Sequence, residues 1–458
     1  MSPCRTPTVA ALLLALAGCA AKTDAPAPIG DPPALQIPVP VPPRGDPTTP
    51  GGPPPALLPQ PGEVPVTPAD KARLDDAEKK GGTVSAAQTG GYEVRIERGT
   101  DPEPVLASLK GATCVVGLSL EGEKVTDDAL KHLDGFDHLR ALVLHDCGRV
   151  TGIGFGVLPR LPRLKALAVS ECPVTDAACA AIGRTATLDE VRLSGTKVTD
   201  AGLRELSGLP ALEALGLAGS PVAGSGFAAP GWAKLRDIDA SGTPFTDGGM
   251  EAVAALPALA RLTLDATKVT DAGLHHLRGA KTLTELSLSG TRITDTGMAS
   301  LNGLDGLHVL DVSNTVIQGL GFAHVPARSG LRKLTLDGSK FDDGGAPHLA
   351  RFPELTALSA TDCPVSDIGL TSLKELKKLT KVELAGTKTG DGTARLLGAL
   401  PELEVAALDR TALTDAGLKA LVSAPKLRFV TAGGTKVTKQ GAAEAARLGP
   451  PGLRVTAE

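Results

Sequence analysis

Few side chains in this sequence are of a type that could do chemistry, and their spacing says what each could do. The eight histidines are His132, His138, His145, His275, His276, His308, His324 and His348. A zinc site or a general base needs several such groups to converge. A second set is ten aspartates, Asp127, Asp176, Asp200, Asp247, Asp271, Asp295, Asp343, Asp367, Asp391 and Asp415, which recur near every 24 residues or a multiple of it. A column of carboxylates invites calcium. Aspartate also suits the first turn of a helix, whose dipole favours negative charge. Eight basic residues, among them Lys197, Lys268 and Arg292, stand three positions before this column, so the aspartates are expected to be largely neutralised rather than metal-bound. A third candidate is "GIGFG" at 152–156, which imitates a dinucleotide-binding turn. No strand–turn–helix unit of the right length surrounds it, and "GSGF" at 224–227 and "GLGF" at 319–322 are variants of the same phrase.

The elements that must position these groups follow from that repetition. The aliphatic residue after each "GTx" phrase recurs from Val125 to Val437 in fourteen copies. The step is 24 residues, with one of 25 after the first copy and one of 23 before Phe245. In "LDEVRLSGT", Leu188, Val191 and Leu193 give a short strand; in "VTDAGLRELSGL", Leu203, Leu206 and Leu209 recur every three residues and give a short helix. Thr199 is placed as its N-cap and Asp200 at its positive end. A 24-residue coil cannot bury its own apolar face, so the copies must stack. By register the histidines fall on different coils, mostly on helix surfaces or loops, and form no metal or catalytic set. Phe136, Phe155, Phe227, Trp232, Phe245, Phe322, Phe341 and Phe352 take inward positions, leaving Phe429 on the strand face.

The phrase "LxxLxLxGTxVTDxGLxxLxxL" resembles the leucine-rich repeat in its cysteine-containing variety, with Thr, Ser or Cys after the strand, as at Thr196, Ser220 and Cys172. The first copy departs, with Glu123 there. The resemblance covers about residues 112–447 and implies an α/β, horseshoe-like solenoid with parallel strands on the concave face and short helices on the convex face. It also implies a protein–protein interaction scaffold without catalysis or cofactor. Lipidated repeat proteins of planctomycete-like bacteria carry a similar "VTDxGLxxL" phrase.

The ends add a location. Val9–Ala17 is a short apolar run followed by "LAGC", which is similar to a lipoprotein signal peptide with Cys19 as the lipidated residue; a run this short does not span a bilayer. Residues 24–66 hold sixteen prolines in 43 positions, a spacer reaching at most about 130 Å in polyproline form. The expected organisation is therefore a signal peptide over 1–18, a Pro-rich linker over 19–68, and an N-terminal cap over 69–111. The solenoid follows over 112–447 and a C-terminal cap over 448–458. The cap is read as a polar helix over 69–80, a strand in "YEVRIERG" and a helix in "DPEPVLASLKG". Cys4 leaves with the signal. Cys114, Cys147, Cys172, Cys179 and Cys363 read as buried thiols, with Cys147 and Cys172 in neighbouring coils expected to stay reduced.

Net charge is −4, which argues against nucleic acid. The expected role is a lipid-anchored cell-envelope protein, at the outer membrane or the periplasmic face, that binds a protein partner and no small-molecule substrate. A structural spacer without a specific ligand is the alternative. Register puts Asp237, Asp239, Arg261, Asp265, Glu285, Asp311, Lys333 and Asp337 on the strand face of five adjacent coils, a locally negative surface where a partner would dock.

Overall fold

The computed structural model describes residues 66–87, 90–325 and 330–457. The signal peptide, Cys19 and nearly all of the Pro-rich linker lie outside the described residues. Among the described residues, seventeen strands form one open sheet. Six are five to seven residues long: β1 (Gly82–Ala86), β2 (Tyr92–Ile96), β3 (Val115–Glu121), β4 (Ala141–His145), β5 (Ala166–Ser170) and β6 (Glu190–Ser194). Three-residue strands follow: β7 (Ala214–Gly216), β8 (Asp237–Asp239), β9 (Arg261–Thr263), β10 (Glu285–Ser287), β11 (Val309–Asp311) and β12 (Lys333–Thr335). β13 (Ala357–Ser359), β14 (Lys381–Glu383), β15 (Val405–Ala407), β16 (Phe429–Thr431) and β17 (Arg454–Thr456) complete the sheet. β1 pairs antiparallel with β2, and from β2 onward each strand pairs in parallel with its successor. Register is one coil per strand, as in Leu286 beside Leu262 and Leu310.

Alternation along the strands sets the core. Leu142 and Leu144, Leu167 and Val169, and Val191 and Leu193 point inward and are fully buried. The helical segments return Leu203 and Leu206 or their equivalents to the same interior. The seven phenylalanines read as inward and Trp232 are all buried, and Phe227 packs against Trp232 and Phe245 with ring centroids 5.6 Å and 6.3 Å away. Each coil's apolar stripe is covered only by its neighbours, so the core is continuous along the stack.

Two features of the repeated phrase have local causes. After each strand the chain turns through a left-handed residue, filled by glycine in seven of the coils from the second to the fourteenth, as at Gly195 with φ 63°. The other six put Asp146, Glu171, Ala266, Asn314, Asp362 and Arg410 there at φ 50–55°, where a Cβ is strained. The next residue turns inward. The buried hydroxyls of Thr267 and Thr291 donate to the carbonyls of Leu264 and Leu288 at 2.7 Å and 2.6 Å, satisfying groups that would otherwise be orphaned. Cys363 instead reaches the preceding coil, its thiol donating to the Leu336 carbonyl at 3.1 Å.

At the N-terminal end, helix α1 (Pro68–Lys79) starts one residue before the expected 69–80 segment because Thr67 and Asp70 form a capping box behind Pro68. Helix α2 (Pro102–Leu109) is capped by Asp101. The expected cap lacked β1, whose "GTVSA" has a single aliphatic side chain longer than alanine. Pairing with β2 decides that strand, not its own pattern. At the other end the helix Lys439–Leu448 leads to β17, which pairs with β16.

Candidate functional site

The carboxylate column does not pair with the basic residues before it; each aspartate ties its own coil to the next. Asp176 accepts the Thr199 backbone N–H and hydroxyl, both at 2.7 Å. Thr199 in turn accepts the Ala201 N–H, 3.2 Å away. The same linkage joins Asp247 to Thr270, Asp271 to Thr294, Asp343 to Ser366, Asp391 to Thr414 and Asp415 to Thr438. The glycine three residues after each such Thr or Ser leaves room for the preceding coil's carboxylate: a Cβ on Gly273 would stand 2.4 Å from Asp247 Oδ1. "TDxG" is therefore one inter-coil device. The expectation that Lys or Arg three positions earlier neutralises the column is overturned. Among the described residues no such ion pair forms, and amide and hydroxyl donors solvate the carboxylates instead.

The "GxGF" phrases belong to the same device. Asp127 accepts the N–H groups of Thr151, Gly152 and Gly154 at 3.0, 3.2 and 2.9 Å. Asp200 does so for Ala223, Gly224 and Gly226, and Asp295 for Gln318, Gly319 and Gly321. Amides that could have cradled a phosphate already hold a carboxylate. Burial works to raise the Asp127 and Asp367 carboxyls, yet the hydrogen bonds they accept hold both below the usual range. Gly152, Gly224 and Gly319 carry no carboxylate onward, and the following Thr175 and Thr246 have no side-chain cap bond. Asp342, after the third, caps its own turn through Gly344 and Gly345.

On the concave face the eight residues read as a docking surface lie together across β8 to β12. Arg261 bonds Asp237 through Nη2 and Nε at 2.7 Å and 3.0 Å. Its sheet neighbour on the other side is Glu285, which is exposed, as is Lys333. The remaining acids are half-buried and anchored. Asp239 accepts Ser241 N–H and Oγ–H, and Asp311 accepts those of Ser313. Asp265 reaches Ser287 and Ser289 of the next coil, and Asp337 reaches Ser359 and Thr361. Neutral donors leave the charges in place, so six carboxylates face two cations and the surface stays acidic. Stability and recognition are entangled here, since Asp239 and Asp311 also hold their own loops.

Residues 279–301 match the family model described as "Leucine Rich repeat". Solved structures share the architecture over most of the chain. The fold is that of the leucine-rich repeat proteins. An internalin from Listeria monocytogenes is similar at 20% identity and TM-score 0.51, over 66% of this chain and 88% of its own. Mouse RP105, in complex with MD-1, is similar at 16% identity and TM-score 0.54, over 75% of this chain and 60% of its own. No curated protein sequence gives a significant match.

Elsewhere on the leucine-rich repeat solenoid, the cysteines are interior. Cys114, Cys147, Cys172, Cys179 and Cys363 are free and buried. The Cys147 N–H donates to Cys172 Sγ at 3.3 Å. Sharing a hydrogen bond with the Cys172 sulfur, together with burial, pushes the Cys147 thiol up, and burial pushes Cys179 up to about 12. Phe429 is half-buried on the strand face beneath the Arg454 guanidinium, 6.0 Å from its ring centre. The sequence reading missed an open convex groove of about 750 Å³ lined by Phe227, Pro230, Trp232, Glu251, Leu256 and other residues. Its signal was available. The 23-residue step loses its residue between Phe227 and Leu235, which form part of this coil's return segment. Among the described residues no three metal-ligating side chains converge, and no helix is long and apolar enough to cross a membrane.

Proposed function

We propose that this chain is a non-catalytic, lipid-anchored scaffold of the bacterial cell envelope whose concave face captures a protein partner through the acidic surface of β8 to β12. The observation that carries the reading is the fixing of that surface. Asp239, Asp265, Asp311 and Asp337 are each held by two donors, so their charges stand at set positions with little side-chain entropy left to lose on binding. A basic protein surface is the matching chemistry. RP105 supplies the analogy of such a solenoid in complex with another protein. Acylation at Cys19 supplies the anchor, and the Pro-rich segment sets its distance from the bilayer.

The test separates docking from folding. Thr263 and Glu285 lie on the concave face outside the anchoring bonds, so Thr263→Lys with Glu285→Lys changes the charge by three without freeing a loop. Capture of partners from envelope extracts is expected to weaken with the double variant, and its salt dependence to shrink, at unchanged melting temperature. Unchanged capture would move the site off this face; a wild-type chain that captures nothing would favour a plain spacer. Mass spectrometry of the mature N-terminus reads the anchor, expected as an acylated Cys19.

A further inference from the structure

The basic residues three positions before the aspartates have no partner in the fold. Lys197, Lys268, Arg292, Lys340, Lys388 and Lys436 are all exposed, and among the described residues none of their side chains forms an ion pair or a hydrogen bond. Their own N–H groups keep them in register, as Lys268 donates to the Phe245 carbonyl and Lys388 to that of Val365, each at 3.0 Å. The six therefore stand in one row along the turns that lead into the helical segments, about 50 Å long at the spacing of stacked strands. The coils between them put Pro221, Pro244, Val316, Pro364 and Ala412 there, and no acid. Four residues on, in the first helical turn, a second column is uncharged in every coil from Ala201 to Gln440. Of the six large hydrophobic side chains exposed among the described residues, four occupy these two columns: Ile153 at 81%, Val316 at 55%, Leu320 at 49% and Ile368 at 79%. Leu320 leans over Gly344 of the next coil, 3.8 Å from where a Cβ would stand, and so toward Ile368.

We infer that this rim is a membrane-contact surface, its cations meeting the headgroups of a bilayer that contains anionic lipid and its aliphatics entering the layer beneath. Single exposed aliphatics are ordinary, but Val316, Leu320 and Ile368 gather within three coils beside unpaired cations. A soluble polyanion would engage the cations alone and give those three side chains nothing to bury against. A lipid surface uses both, since lysine and arginine stems reach past apolar neighbours to keep their charge at the headgroups. The acids nearby are engaged. Asp362 pairs with Arg410 at 3.0 Å, and the column aspartates are half-buried with their oxygens on the next coil's amides. The rim occupies a different side of each coil from the acidic strand face, so the contact leaves β8 to β12 open to a protein. It does not depend on acylation at Cys19.

The test uses the full chain with Cys4→Ala and Cys19→Ala, which removes acylation and leaves the five buried native thiols. A polarity-sensitive fluorophore is attached at Ala201→Cys on the rim or, as a control, at Ala233→Cys on the exposed loop that leads back to the strand. Vesicles of phosphatidylcholine and phosphatidylglycerol should shift the emission at position 201 to the blue and leave that at 233 unchanged, and vesicles of phosphatidylcholine alone should do much less. Lys268→Ala, Arg292→Ala and Lys340→Ala together should weaken vesicle binding about a hundredfold, at roughly fivefold per cation near an anionic surface, with the melting temperature nearly unchanged. Val316→Ser, Leu320→Ser and Ile368→Ser together should weaken it about tenfold. An unshifted label at 201, or equal shifts at 201 and 233, would overturn the proposal, since attachment through the amino end alone gives one of these. So would equal shifts on the neutral vesicles, or unchanged affinity in either triple variant. Binding of dextran sulfate that depends on the three cations, with no shift on vesicles, would make the row a site for soluble polyanions instead.

Discussion

Removing one carboxylate of the inter-coil column should cost far more than removing the basic residue that precedes it. Asp295 is the sharpest case: its carboxylate holds the N–H groups of Gln318, Gly319 and Gly321 at 2.8, 2.9 and 2.7 Å. In Asp295→Ala water can serve Gln318, which is exposed, but Gly319 and Gly321 are buried. Each orphaned buried amide costs about 1–3 kcal/mol, so the variant should lose about 2–6 kcal/mol. Asp295→Asn keeps one acceptor oxygen but aims a donor at a donor, and should fall between. Arg292→Ala, at an exposed side chain, should stay within about 0.5 kcal/mol. Urea unfolding followed by circular dichroism gives the totals. Hydrogen exchange at Gly319 and Gly321 gives the local effect, which matters because long arrays need not unfold in one step. Equal losses from Asp295→Ala and Arg292→Ala would refute the reasoning and return the column to ordinary charge pairing.

Three further outcomes follow from the same geometry. Ala266→Gly, at φ 53°, should raise stability by about 0.5–1 kcal/mol, the strain of a left-handed alanine less the added freedom of the unfolded chain, as read from the denaturation midpoint. Asp70, Asp127 and Asp367 titrate below their unfolded values, so their contribution is full at neutral pH and drains as pH falls below about 4 and through the folded values; Glu93 and Asp189, raised by burial, work in the opposite sense. Acid unfolding monitored at several pH values should therefore show loss of stability below that point, and a flat profile would contradict it. The five described cysteines should resist thiol reagents in the folded chain and all react in denaturant, with Cys147 and Cys172 recovered as separate thiols in non-reducing peptide maps.

The architecture was legible because its cause is written in one line of sequence and repeated. Leu188, Val191, Leu193 and the threefold spacing of Leu203, Leu206 and Leu209 report burial directly, and Thr199 sits where a capping oxygen must. The partner of Asp200 was not legible. It lies 23 to 26 residues away, and nothing within one coil says that its carboxylate points toward the next turn rather than to Lys197. β1 was hidden for a similar reason, since Val84 alone offers no period and the strand exists through β2. On the concave face, register placed Asp239 and Asp311 correctly, but their bonds to Ser241 and Ser313 depend on a turn conformation that composition does not record.

The carboxylate column also gives the solenoid a direction. Each aspartate serves the coil after it, so a coil formed before its predecessor faces water with its turn amides unpaired, while one formed after finds its anion waiting. Growth from the amino end, the order in which the chain leaves the ribosome, is thus the order in which each bond can close at once. Cutting away coils from the carboxyl end exposes only a hydrated carboxylate, whereas cutting from the amino end takes the acceptor away from the amide donors that remain. Where Gly152, Gly224 and Gly319 interrupt the sequence of anions, the handover fails. Those three seams divide the array into blocks, and they are where a stretched or partly melted chain should first come apart.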